Sequence, residues 1–202
     1  MRSEDKTRPP ITERDRELLA TPDDELRKQT QVFCFDRAKF EARISAGERW
    51  QQLLQAHLYF DHVITQTLED ALKNPDAINM KRNSFAQKLQ LISAMGLLPP
   101  ELISPVEFIN GLRNKIAHDL DFEIDDKHID DLVNCTPKHL REVALEEVGR
   151  EPGPLRFCEL LRVILFQIEV LREANEYMRL CDAKSVLRLR TVLEKTEVVY
   201  RP

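Results

Sequence analysis

Three residues in "NGLRNKIAHD" could do chemistry together: Arg113, Asn114 and His118. An ordinary imidazole titrates near ~6.5, so His118 can take or give a proton close to neutrality. A guanidinium is always charged, and its planar fork matches a phosphate. An amide at Asn114 can orient a ligand or the histidine. The stripe holds no carboxylate pair and no Cys–His couple. Arginine, histidine and amide together suit metal-independent phosphodiester cleavage in RNA: the imidazole activates the 2′-hydroxyl and the guanidinium stabilises the charge-rich transition state. One histidine per chain is too few for a separate acid and base, and two-fold pairing of the same helix would supply both. The bland alternative is that Arg113 pairs with an acid on a neighbouring helix, Asp61 being a candidate, while His118 is a C-terminal helix residue favoured by the helix dipole.

The spacing decides which helix face carries these groups. At about 100° per residue, Arg113, Asn114, Ala117 and His118 all fall within about 80° of Asn110. Phe108, Ile109, Leu112 and Ile116 gather on the opposite side as a core face. Arg113 and His118 diverge by about 140°, so they straddle the stripe. A target lying across it would meet both, and so would a second copy of the same helix. Gly111 costs about 1 kcal/mol against alanine in mid-helix and suggests either a close neighbour or slack.

"LRNKIAH" is similar to the signature of the HEPN superfamily, in which an arginine, often followed by a polar residue, precedes a histidine by four to six residues. Four residues separate Arg113 from His118 here. The upstream "FAQKLQLISAMGLLPPELISPVEFI" resembles mannitol-repressor-like and uncharacterised members, and "AHLYFDHVI" resembles their first bundle helix. The resemblance spans roughly residues 45 to 180, and only the signature helix is sharp. It implies a helical bundle that dimerises through the helix bearing Arg113 and His118. It also implies either of two functions. The first is a metal-independent endoribonuclease of toxin, defence or RNA-processing type, with Arg113 and His118 catalytic and Asn114 supporting. The second is a non-catalytic regulator or interaction module. RNA and an antitoxin or regulatory protein are the partners each reading implies, and no cofactor or metal is expected. Leu120 stands where one toxin subgroup has a modifiable tyrosine, so regulation of that kind is not supported.

The elements that must position this stripe read as helices. Only 5 glycines occur in 202 residues, and aromatic residues make up 6%; Leu, Glu, Arg, Lys and Ala are abundant. We expect an all-α, up-and-down helical bundle with helical N- and C-terminal extensions: an arm and helix over residues 1–45, a bundle over 46–182, and a tail over 183–202. "TPDDELRKQTQVFCFDRAKFEARI" reads as one helix capped at Thr21. A broad stripe including Trp50, Leu53, His57, Asp61 and Ile64 marks the next, with His57 packed inward. "NSFAQKLQLISAMG" is stopped by Gly96. The signature helix is expected to start at Ser104, with Pro105 in its first turn and Glu107 completing a capping box. Two short helices follow, then a break at "REPGP" and a long apolar helix. "TEVVY" is the best strand candidate.

The net charge of −5 disfavours non-specific duplex binding but leaves room for a small basic cleft. The four cysteines are scattered, as expected of reduced thiols. The N-terminus has no apolar signal region and no run approaches the ~18 apolar residues of a membrane span, so a cytoplasmic protein is expected. Asp119, Asp121, Glu123 and Asp125 imitate the start of a calcium loop, but Ile124 replaces its glycine and Asp130 its final glutamate; the acids read as a connector and helix caps. His57 and His62 lack zinc-protease spacing. Arg188 and Arg190 could meet phosphate, although they read more simply as a solvated face.

Overall fold

The computed structural model of the chain describes residues 10–147 and 155–199. Among these, every long element is an α-helix and no strand occurs, as the composition predicts. The helices are α1 (Glu13–Ala20), α2 (Asp23–Thr30), α3 (Arg37–Ile44), α4 (Arg49–Ala71), α5 (Phe85–Ala94), α6 (Pro100–His118), α7 (Asp126–Cys135), α8 (Lys138–Glu147) and α9 (Phe157–Val199). No helix among the described residues is long and apolar enough to cross a membrane.

Contacts divide the chain into two units. The larger is Phe33–Glu173; the other joins the described parts of Met1–Val32 and Ala174–Pro202. In the larger unit α4 is the centre. Leu53, Ala56, Phe60, Val63, Ile64 and Leu68 are buried along it at helical spacing. Onto them pack α5 through Leu89 and Ile92, α6 through Leu102, Val106, Ile109 and Leu112, and the first turns of α9 through Leu160, Leu161, Ile164 and Ile168. Fully burying each such side chain contributes roughly 1.5–3 kcal/mol before chain entropy is set against it.

In the smaller unit, Thr12 and Asp15 form a capping box at the start of α1. Lys184 is buried there, and its ammonium donates to the carbonyl of Thr21 and, at 2.6 Å, to Asp23. That ammonium holds the Asp23 carboxyl below the usual carboxylate range.

Four local expectations change. The expected helix from Thr21 to Ile44 is two, α2 and α3, because Phe33 and Phe35 leave helical geometry to join Phe40, Tyr59 and Phe166 in an aromatic cluster, and Asp36 then caps α3. Burial of aromatic rings outweighs the modest propensity of a helix through that stretch. The helix that carries Arg113 and His118 starts at Pro100, not Ser104, so Ser104 is an exposed interior residue and Pro105 lies inside the helix. Pro100 and Pro105 suit a first turn equally, and the earlier start adds a turn that buries Leu102 in the core. The segment after residue 182 carries no break: α9 runs on to Val199. Finally, the described part of "TEVVY" is the end of α9, not a strand. "REPGP" and the first nine residues lie outside the described residues.

Gly96 ends α5 as expected, at φ +66°. Gly47, at φ +80°, makes the tight corner between α3 and α4; a Cβ there would lie 2.3 Å from Gln51 Oε1, the atom that caps Glu48 N–H.

Candidate functional site

The sequence of α6 sorts itself by face. Ile109 and Leu112 are buried and Phe108 and Ile116 pack partly against the core, which turns Asn114, Ala117 and His118 to solvent. Arg113 is half-buried at the border, with its Nη1–H donating to Asn114 Oδ1 at 3.3 Å. The rise of the helix separates Arg113 from His118 by about 7.5 Å along the axis.

Asn110 is not free for a ligand. Its Oδ1 accepts from His57 Nε2–H at 3.2 Å. His57 sits on α4, is 8% exposed, and lies against the ring of Phe85 at 4.6 Å between centroids. The inward packing expected for His57 is therefore present. Its link to Asn110 is a contact that sequence reasoning missed, since nothing in the spacing of two residues on different helices announces it. Burial pushes the His57 pKa down and the nearby Arg113 charge pushes the same way, against the Asn110 hydrogen bond and Asp61. His57 is thus held neutral beneath the stripe and braces it from α4.

Asp61 does not pair with Arg113. It accepts from Lys88 at 2.6 Å, and Lys88 also donates to Thr65 at 2.9 Å. Lys88 is 5% exposed, so the buried ammonium needs that carboxylate more than a half-exposed guanidinium does. Among the described residues neither Arg113 nor His118 has a carboxylate within ion-pair distance.

One acid does share the solvent side. Glu107 is exposed and lies at i and i+7 from Asn114, two turns toward the N-terminus. Helical rise puts it about 16 Å from His118 along the axis.

The connector after α6 is pinned at its far end. Arg49, at the start of α4, donates to the Ile124 carbonyl at 3.0 Å and to Asp126 at 2.6 Å. Asp119 Oδ1 accepts from Asp121 N–H at 3.1 Å and closes its own turn. Asp125 caps α7 with His128 in a capping box, and the His128 N–H and ring hold its carboxyl below the usual range. Most of the acids next to His118 thus build the connector and the start of α7. Lys115 lies over the Phe122 ring at 5.4 Å, and Leu120, two residues beyond His118, is fully exposed.

The other residues singled out in the sequence lie elsewhere. His62 meets the Cys34 carbonyl at 3.0 Å. Arg190 pairs with Glu194 at 2.9 Å, and Arg188 approaches Asp23 at 4.0 Å. The arrangement on α6 offers a fixed positive charge and a titratable imidazole on one accessible helix face, with an amide bracing the charge. No family model, curated protein or solved structure matches this chain.

Proposed function

We propose that the solvent side of α6 is the working surface of a metal-independent endoribonuclease, acting in the cytoplasm as a homodimer and of toxin, defence or RNA-processing type. The observation that supports it is the presence of Arg113 and His118 on an accessible helix face with no carboxylate partner among the described residues.

In this reading His118 of one chain removes the 2′-hydroxyl proton, and the 2′-oxygen attacks the adjacent phosphorus. Arg113 stabilises the extra negative charge on the pentacoordinate phosphorus, and Asn114 keeps its guanidinium in place. The 5′-oxygen leaves with a proton from the partner's His118, giving a 2′,3′-cyclic phosphate and a 5′-hydroxyl.

The test is cleavage of a labelled single-stranded RNA in excess chelator by the wild type, His118→Ala and Arg113→Ala. His118→Ala removes both the base of one chain and the acid of its partner, so the fall should be at least the roughly 10²–10⁴-fold of a single lost proton-transfer group, and the wild type should work best near neutrality. Cleavage that survives both substitutions, or that requires a divalent metal, rejects the proposal.

The second reading is a non-catalytic regulator or interaction module of the mannitol-repressor-like type, in which Arg113, Asn114 and His118 hold the dimer together. In that case the wild type leaves RNA intact, and Arg113→Ala and His118→Ala weaken the dimer in sedimentation.

A further inference from the structure

A cleft of about 830 Å³ opens in the larger unit, away from the α6 stripe. Its walls follow from helix periodicity. On α7, Asp126, Ile129, Asp130 and Val133 face it at i, i+3, i+4 and i+7; on α8, Arg141 and Leu145 face it at i and i+4; the N-terminal end of α9 closes it with Leu155, Arg156 and Phe157. The volume falls in the range of small-molecule sites, and most of the wall is apolar.

The polar groups in this wall divide into those already satisfied and those that are not. Arg49 is committed to Asp126 and to the Ile124 carbonyl. Arg156 is committed to Glu159, through its backbone N–H at 2.8 Å and its Nε at 2.7 Å. Arg141 is different: among the described residues its Nε is buried without a hydrogen-bond partner and no carboxylate lies within ion-pair distance of its guanidinium. A buried donor without an acceptor costs about 1–3 kcal/mol unless something supplies one. The same wall includes Phe157 and Cys158 in the first turn of α9, whose N–H groups have no acceptor within that helix and favour negative charge, part of which the buried Glu159 carboxylate already supplies. An unpaired guanidinium Nε and a helix start thus stand in the wall of a cleft that also holds the exposed Asp130 carboxylate, Ser45 and Gln52 beside its apolar side chains.

We propose that this cleft binds a small amphipathic anion, whose oxyanion head, a carboxylate or a phosphate, meets Arg141 and the start of α9 and whose apolar body lies against Ile129, Val133, Leu145, Leu155 and Phe157. The site is independent of the α6 stripe, so either can fail without the other.

The test uses the full chain and four probes in calorimetric titrations: octanoate, octyl phosphate, 1-octanol and inorganic phosphate. Octanoate, octyl phosphate or both should bind at least tenfold more tightly than octanol and than inorganic phosphate, and the order of the first two identifies the head group. Arg141→Met should weaken the better probe at least tenfold, Arg141→Lys by less, and His118→Ala not at all. Leu145→Trp, which fills the apolar end, should block binding even if Arg141→Met folds poorly. Octanol binding as tightly as the anions, no binding of either anion, or unchanged affinity in Leu145→Trp or in a folded Arg141→Met would overturn the proposal.

Discussion

His57 shows how one buried side chain governs the stripe above it. Burial, reinforced by Arg113, holds its pKa below the ordinary 6.5. Below that ordinary value the unfolded chain takes up a proton that the folded chain resists, so the unfolded state binds more protons and stability falls with falling pH. The loss begins near the ordinary value and is complete below the depressed one. Urea denaturation at pH 7.5 and pH 5 should therefore show a drop that is smaller in His57→Gln, which keeps a donor toward Asn110. An equal drop in the variant would assign the pH dependence to other groups.

At the scale of elements, α6 combines a firm core face with an unusually open solvent face. Gly111 lies in the helix interior, and a Cβ added there would meet nothing within 4 Å. Nothing within the chain therefore requires glycine. Gly111→Ala should stabilise the isolated chain by about 0.5–1 kcal/mol, which is about 2–4 °C per kcal/mol in thermal midpoint for a domain of this size. The measurement is a thermal melt at low protein concentration, and a fall in midpoint would mean that the helix tolerates no side chain there. If α6 docks against its twin, the same substitution should weaken the dimer in sedimentation while it stabilises the chain, since the two effects act on different equilibria.

Across the larger unit as a whole, a buried polar network ties together points far apart in the chain. Glu169 is completely buried and accepts from Arg172 at 2.9 and 3.0 Å. Arg172 also donates to Asp70 at 2.8 Å, and Glu169 accepts from the Cys34 N–H. Residues 34, 70, 169 and 172 thus meet in one place. One guanidinium serves both carboxylates, so removing it costs more than the set contributes. Arg172→Met should destabilise the protein by about 3–5 kcal/mol, read from the urea midpoint, because it leaves two carboxylates facing each other. Burial and the Glu169 carboxylate push the Cys34 thiol up to about 12, so in the native protein at pH 8 it should react with a thiol reagent far more slowly than after unfolding.

Much of the fold was legible because helix periodicity is local. The apolar spacing in α4, α5 and α6 marked most of the residues that are buried, but Trp50, Leu58 and Met95, which the same spacing placed inward, are exposed because no neighbouring element covers their edge of the stripe; Gly96 marked the end of α5. The split between α2 and α3 was not legible, since Phe33 and Phe35 leave the helix only to reach Tyr59 and Phe166, which are distant in sequence. The early start of α6 was missed because Ser104, Pro105 and Glu107 form a plausible local cap that competes with Pro100. In the stripe, the exposure of Asn114, Ala117 and His118 followed from the wheel, whereas the partner of Asp61 did not.

By itself the sequence determined the helical class, the face on which Arg113, Asn114 and His118 stand, and the inward position of His57, all consequences of a 3.6-residue period acting over a few turns. Only tertiary packing decided that Lys88 takes Asp61 and leaves Arg113 without an acid, that Asn110 is spent on His57, and that Arg141 lines a cleft with its Nε unmatched. Those outcomes depend on which buried charge most needs a counter-charge, and that competition exists only once distant helices share the same low-dielectric space.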